Sequence, residues 1–185
     1  KLDAHLQSQT ARFQPLSVLT SILQTPNQLR ALWLTTTIML GHFSIIPFLS
    51  PYLVTNVGFS ENQLYLIYLI GGLVTIFTAP MVGKLADQRG KYPVFVVFAL
   101  LSLLPIYLLT HMPPASLVYV LFVSGIFFIF TNGRMIPTQA MVSSVVEPQH
   151  RGGFLSINSS VQLLAQAVAT YGAGLVVTKA PDGHL

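Results

Sequence analysis

The chain has 185 residues, 52% of them apolar and 8% charged, with a formal net charge of +4 and a mean hydropathy of +0.67. A soluble domain carries about a quarter of its residues as Asp, Glu, Lys or Arg, so this composition excludes an ordinary water-soluble globule and makes lipid the solvent. The absence of cysteine excludes disulfides and thiolate metal sites.

In chain order, residues 1–29 are polar, with Leu16, Leu19, Ile22 and Leu23 at helical spacing. That pattern predicts an amphipathic helix lying at the membrane interface. Its apolar part is too weak for a signal peptide, and no cleavage pattern follows it. A membrane helix needs about 20 mostly apolar residues. Five stretches are expected to provide one: 31–54, 64–82, 93–110, 117–145 and 154–177, within a transmembrane unit spanning 30–178. A short tail, 179–185, follows. Open strands cannot satisfy their backbone groups in lipid, and the alternating polarity of barrel strands is absent. The expected fold is therefore all-α, a polytopic membrane helix bundle. Ser60 stands three residues before Gln63, the spacing of a capping box, and Ser116 is placed to cap the fourth helix.

Polar residues inside these spans are the candidates for function, because they are costly in lipid. The first span reads GHFSIIPFLSP, and Gly41, Pro47 and Pro51 predict a bent helix. His42 is the one histidine within a span and is a titratable or a hydrogen-bonded packing group. In the fourth span, Arg134 follows Gly133 and precedes Pro137. If the helix continues to 145, Arg134 is about 16 Å from its end at about 1.5 Å per residue and faces the interior, where it could meet an anionic group. If the helix stops near Pro137, Arg134 snorkels to the headgroups. In the fifth span Asn158, Gln162, Gln166 and Thr170 recur every four residues and form one helical stripe. These amides line a solute cavity or hydrogen-bond to a neighbouring helix. Ala165, Ala169 and Ala173 form a second stripe, suited to close helix packing. The five carboxylates, Asp3, Glu61, Asp87, Glu147 and Asp182, all fall outside the spans.

Five spans put Lys1, Arg12, Arg30, Lys84, Arg89, Lys91 and Arg151 on one side of the membrane and Lys179 on the other. The positive-inside rule makes the first side cytoplasmic. On that side, between the second and third spans, lies GKLADQRGKY, residues 83–92, expected to be a loop. Gly83 would let helix ends approach, and Gly90 can take the positive φ of a tight turn. Asp87 could accept from a helix N-terminus, and Arg89 and Lys91 could pair with it or with lipid phosphates.

This stretch resembles a motif of the major facilitator superfamily, written loosely G-x-L-A-D-x-x-G-[RK]-[RK], matched at Gly83, Leu85, Ala86, Asp87, Gly90 and Lys91. Gln88 and Tyr92 depart from it. The stretch from Gly133 to Gln162 also resembles the family's tenth-to-eleventh helix region, with a proline and then Arg-Gly at the turn. The resemblance implies a secondary transporter of the cell membrane, most similar to drug- and sugar-efflux members, that moves a small solute by alternating access. It implies placement as helices seven to eleven, five helices of an incomplete six-helix half, with residues 1–29 as the linker between halves; helices one to five are the alternative. The partners implied are the solute, the bilayer and the N-terminal half of the same transporter, in a monomer, with no cofactor and no nucleic acid. Gly83, Leu85, Asp87, Arg89, Gly90 and Lys91 would form a conformational latch. His42, Arg134, Asn158, Gln162 and Gln166 are the candidates to line the cavity. Proton coupling, with no carboxylate in the spans, would use His42 or the other half. A membrane enzyme would need a clustered acid, base or metal set, and the sequence shows none. A non-transporting scaffold or sensor is the remaining alternative.

Overall fold

A computed structural model describes residue 20 and residues 22–177. The described residues form helices α1 (Pro26–Phe43), α2 (Ile46–Thr55), α3 (Leu64–Arg89), α4 (Lys91–Thr110), α5 (Leu117–Ser144) and α6 (Arg151–Val176), with a short 3₁₀ turn at Glu61–Gln63 before α3. There is no strand among them. Most of the expected amphipathic lead, with Leu16 and Leu19, and the tail 179–185 lie outside the described residues. Ile22, at the end of that lead, is buried against a cluster that includes Val142 and Phe154, while Leu23 is exposed.

The expected first span is two helices rather than one bent helix. The chain breaks at Ser44–Ile45, and Pro47 falls in the first turn of α2, where a missing N–H costs nothing. Pro26–Thr55 taken together, Glu61–Arg89, Lys91–Thr110 and Leu117–Ser144 are each long and apolar enough to cross a membrane. Helix α6, 26 residues long, is long enough as well, but its amides and serines leave it outside that set. Four described segments, not the five expected, therefore carry the full apolar signature.

Helix α5 is packed along α3 and α4, and α1 lies along α6 and also touches α5. One apolar cluster gathers Leu49, Leu53, Ile67, Leu109, Val120 and Phe127 from α2, α3, α4 and α5. Smaller clusters hold α1 to α6 through Ile38, Met39 and Ala165, and α3 to α4 through Val82, Ala86 and Val94. Two glycines set the closest approaches. The Phe128 ring of α5 lies where a Cβ on Gly71 would come within 2.6 Å, and the Phe98 ring of α4 lies 2.0 Å from where a Cβ on Gly133 would be. Gly125, in contrast, has ordinary space around it. On the outer faces, Leu69, Leu73, Phe77 and Met81 of α3 and Leu164, Val168, Tyr171 and Leu175 of α6 are exposed. In water that area would drive aggregation; in lipid it needs no cover.

The predicted caps mark helix starts without making cap bonds. Ser60 and Ser116 both stand at N-caps with extended backbone, and neither side chain bonds the helix it precedes. The capping box at Ser60 is thus not formed: Gln63 N–H donates to the Ser60 carbonyl, 2.9 Å, in a 3₁₀ turn instead.

Candidate functional site

Helix α5 runs through Pro137 without ending. This settles the position of Arg134, which lies about 15 Å from the helix end at about 1.5 Å per residue. Pro137 has no N–H, so the Gly133 carbonyl loses its helical donor, and the Phe98 ring packs on the same glycine. Arg134 reaches across to α4, where Nη1 donates to Ser102 Oγ at 3.3 Å. Ser102 is fully buried and spends its own proton on the Ala99 carbonyl, 2.7 Å, so it can only accept from the guanidinium. Arg134 Nε is buried and has no hydrogen-bond partner among the described residues. An Arg at a membrane-helix centre costs about 2.5–3.5 kcal/mol by insertion scales. An interhelical hydrogen bond returns about 0.6 kcal/mol on average. The Ser102 bond therefore does not offset the charge.

Two further buried hydroxyls on α5, Ser124 Oγ and Thr131 Oγ1, also lack partners. With Thr138 they recur every seven residues, and all three are buried, so they follow one face of the helix. Thr138 Oγ1 back-bonds to the Arg134 carbonyl at 2.7 Å. His42 is half-buried near the end of α1, its ring 5.3 Å edge-on to Phe43. Its Nδ1 is buried and has no partner among the described residues. His42 stands on α1 and Arg134 on α5, two helices that touch.

The amide stripe of α6 faces α1. Asn158 is buried and accepts from Thr35 Oγ1 at 2.8 Å. Gln166 Nε2 donates to Met39 Sδ at 3.6 Å, and Thr170 Oγ1 to the Phe43 carbonyl at 3.5 Å. Gln162 is half-buried and makes no hydrogen bond among the described residues. Three of the four stripe residues therefore make interhelical bonds here. The sequence reading passed over Asn132, which links α5 to α3 by donating to Thr75 Oγ1 at 3.0 Å. It also passed over Ser102 and the Ser124–Thr131–Thr138 face. The seven-residue recurrence of hydroxyls was the available signal for that face; nothing local marks Ser102.

Residues 83–92 are not a loop. Helix α3 continues to Arg89 and α4 begins at Lys91, leaving Gly90 alone between them. Gly90 takes φ +94° and ψ 145°, a conformation open to glycine and strained for other residues. Lys, Leu, Ala, Gln and Arg are good helix formers, which is why the charged run stays helical. Asp87 consequently sits in the last turn of α3, at the negative end of a helix dipole. It is exposed and, among the described residues, has no ion pair or hydrogen bond. Arg89 is exposed as well. Lys91 Nζ donates to the Ala140 carbonyl of α5 at 3.3 Å, so the Lys91 contact expected with Asp87 or lipid goes to a neighbouring helix. A Cβ on Gly83 would have nothing within 4 Å, so it permits no close approach among the described residues. Leu85 is partly exposed, while Ala86 is buried against the α4 side.

Long apolar helices with exposed flanks, a partly buried cation with no answering charge among the described residues and a charged helix junction define a multi-pass membrane helix bundle. The chain belongs to the Major Facilitator Superfamily, whose family model matches residues 7–181. Comparison with curated proteins and with solved structures found no match. The protein is accordingly a transporter of the major facilitator type.

Proposed function

We propose that the protein is a secondary transporter that moves a small solute by alternating access, in the direction of efflux, at the cell membrane. The observation that carries this reading is the set of buried, unpartnered polar atoms on Arg134, His42, Ser124 and Thr131 in a bundle of otherwise apolar helices. Such groups in a membrane mark solute or ion paths. The chain supplies helices seven to eleven of the transporter. Helix α6 is its fifth span, with residues 83–92 on the cytoplasmic side and residues 1–29 as the linker to the other half. The solute cavity lies near the bilayer midplane between halves, lined here by His42, Arg134, Gln162 and Gln166, with Asn158 fixing α6 against α1. Gly83, Leu85, Asp87, Arg89, Gly90 and Lys91 form the junction that latches the two halves on the cytoplasmic side. Asp87, at a helix end that disfavours its charge, supports this role, because a cationic or N–H partner on the other half would relieve it. Coupling to protons would run through His42 or the other half.

The test is flux. The full-length protein, reconstituted in liposomes, is expected to carry a solute saturably and to exchange it in counterflow. Flux that rises linearly with solute and shows no counterflow would indicate a passive pore or a leak, and would count against alternating access.

A further inference from the structure

The charge on Arg134 has no answering charge among the described residues. Glu61 lies in the turn before α3, Asp87 in the exposed last turn of α3, and Glu147 in the exposed connection after α5; none is inside the bundle. A guanidinium does not discharge itself by losing a proton. Its one acceptor is the neutral Ser102 Oγ, bonded to Nη1. The opposite edge, Nε with Nη2, makes no hydrogen bond among the described residues, and Nε is buried. That edge presents two parallel N–H donors, the geometry that an oxyanion fills bidentately. Thr131 lies three residues earlier on α5, hence beside Arg134 on the helix surface, and its buried hydroxyl is unpartnered. His42, on α1, which touches α5, adds a buried ring nitrogen with no partner among the described residues.

We infer that the transported solute is an anion, a carboxylate or comparable oxyanion, seated on the free Nε–Nη2 edge of Arg134 with Thr131 and His42 as further hydrogen-bonding groups. This rests on the transporter reading and adds a solute class to it. Ser102 is a positioning residue: by holding Nη1 it turns the other edge of the guanidinium toward the site. A carboxylate side chain elsewhere in the full protein has the same chemistry as the solute, and the experiment must tell the two apart.

The test uses acid and neutral pairs of matched size, gluconate with glucose and benzoate with benzamide, carried by the full-length protein in liposomes. Arg134→Gln, Arg134→Lys and Ser102→Ala are compared with the unsubstituted protein. The expected result is flux of an acid at least tenfold above its neutral partner. Arg134→Gln should abolish that preference, Arg134→Lys should retain part of it at lower affinity, and Ser102→Ala should raise KM for the acid. Arg134→Lys keeps the charge, so the test survives even if Arg134→Gln fails to fold. Equal flux of acid and neutral partner, unchanged by Arg134→Gln, would overturn the anion assignment while leaving transport intact. Loss of both members together, restored by Arg134→Lys, would assign Arg134 to a protein carboxylate and also overturn it. Flux of no compound by folded protein would count against the transporter reading and the assignment together.

Discussion

The close approach of Phe98 to Gly133 gives the sharpest structural prediction. Carbon atoms in good contact sit about 3.5–4.0 Å apart. A Cβ on Gly133 would lie 2.0, 2.4 and 2.8 Å from Phe98 Cδ1, Cε1 and Cγ. Cγ, at 2.8 Å, lies on the ring's rotation axis, so turning the ring does not fully relieve the clash; the whole side chain or the helix must move. Overpacking of this kind costs about 1–3 kcal/mol, and so severe an approach belongs in the upper half of that range. Alanine also gains about 1 kcal/mol over glycine in a helix interior. Gly133→Ala is therefore expected to destabilise by about 1–2 kcal/mol. Gly71→Ala, with Phe128 at 2.6 Å, should fall in the same direction by less. Gly72→Ala is the control: with nothing within 4 Å, it should be neutral or stabilising by up to about 1 kcal/mol. Reversible unfolding in mixed micelles, followed by circular dichroism, measures all three. Gly133→Ala as stable as Gly72→Ala would refute the packing of α4 on α5 described above.

Three further outcomes are expected. Gly90→Ala should destabilise the α3–α4 junction by about 1–3 kcal/mol, because its φ of +94° falls where side chains are strained; unfolding in micelles again reads it. A double-mutant cycle of Thr35→Val and Asn158→Leu should give a coupling of about 0.6 kcal/mol and no more than about 1.7, and zero coupling would deny the 2.8 Å bond. Asp87→Asn should leave stability unchanged or raise it by up to about 1 kcal/mol, since it removes a negative charge from the C-terminal end of α3 and breaks no bond among the described residues, but should slow transport by the full-length protein and increase cytoplasmic accessibility; normal flux with unchanged accessibility would reduce the junction to a topology signal.

The helices were legible because apolar runs of this length have few alternatives in lipid. Gly90 was legible too, since a glycine amid charge signals a positive φ. The run 83–92 has the charge of a loop but the propensity of a helix, and a surface helix end is as charged as a loop, so the sequence alone does not separate the two. Gly41, Pro47 and Pro51 pointed to a bend in the first span but not to a full break at Ser44–Ile45, because proline is harmless in a first helical turn and the residues just before it carry the break. The four-residue recurrence revealed the α6 stripe but not its partner, since Thr35 lies 123 positions away. The same holds for Arg134. Its depth could be framed as two alternatives, but only the continuity of α5 past Pro137 chose between them, and Ser102 could not be found from sequence at all.

Accessibility at Gln162 tests alternating access most directly. Gln162 is half-buried and makes no hydrogen bond among the described residues, and these 185 residues contain no other thiol. Gln162→Cys in the full-length protein, with any cysteine outside these residues removed, is treated with a membrane-impermeant thiol reagent in right-side-out and inside-out vesicles. The account predicts reaction from each side, with a transported solute changing the two rates in opposite directions or slowing both. A cysteine inert from both sides, or open to one side only whatever the solute, would contradict it.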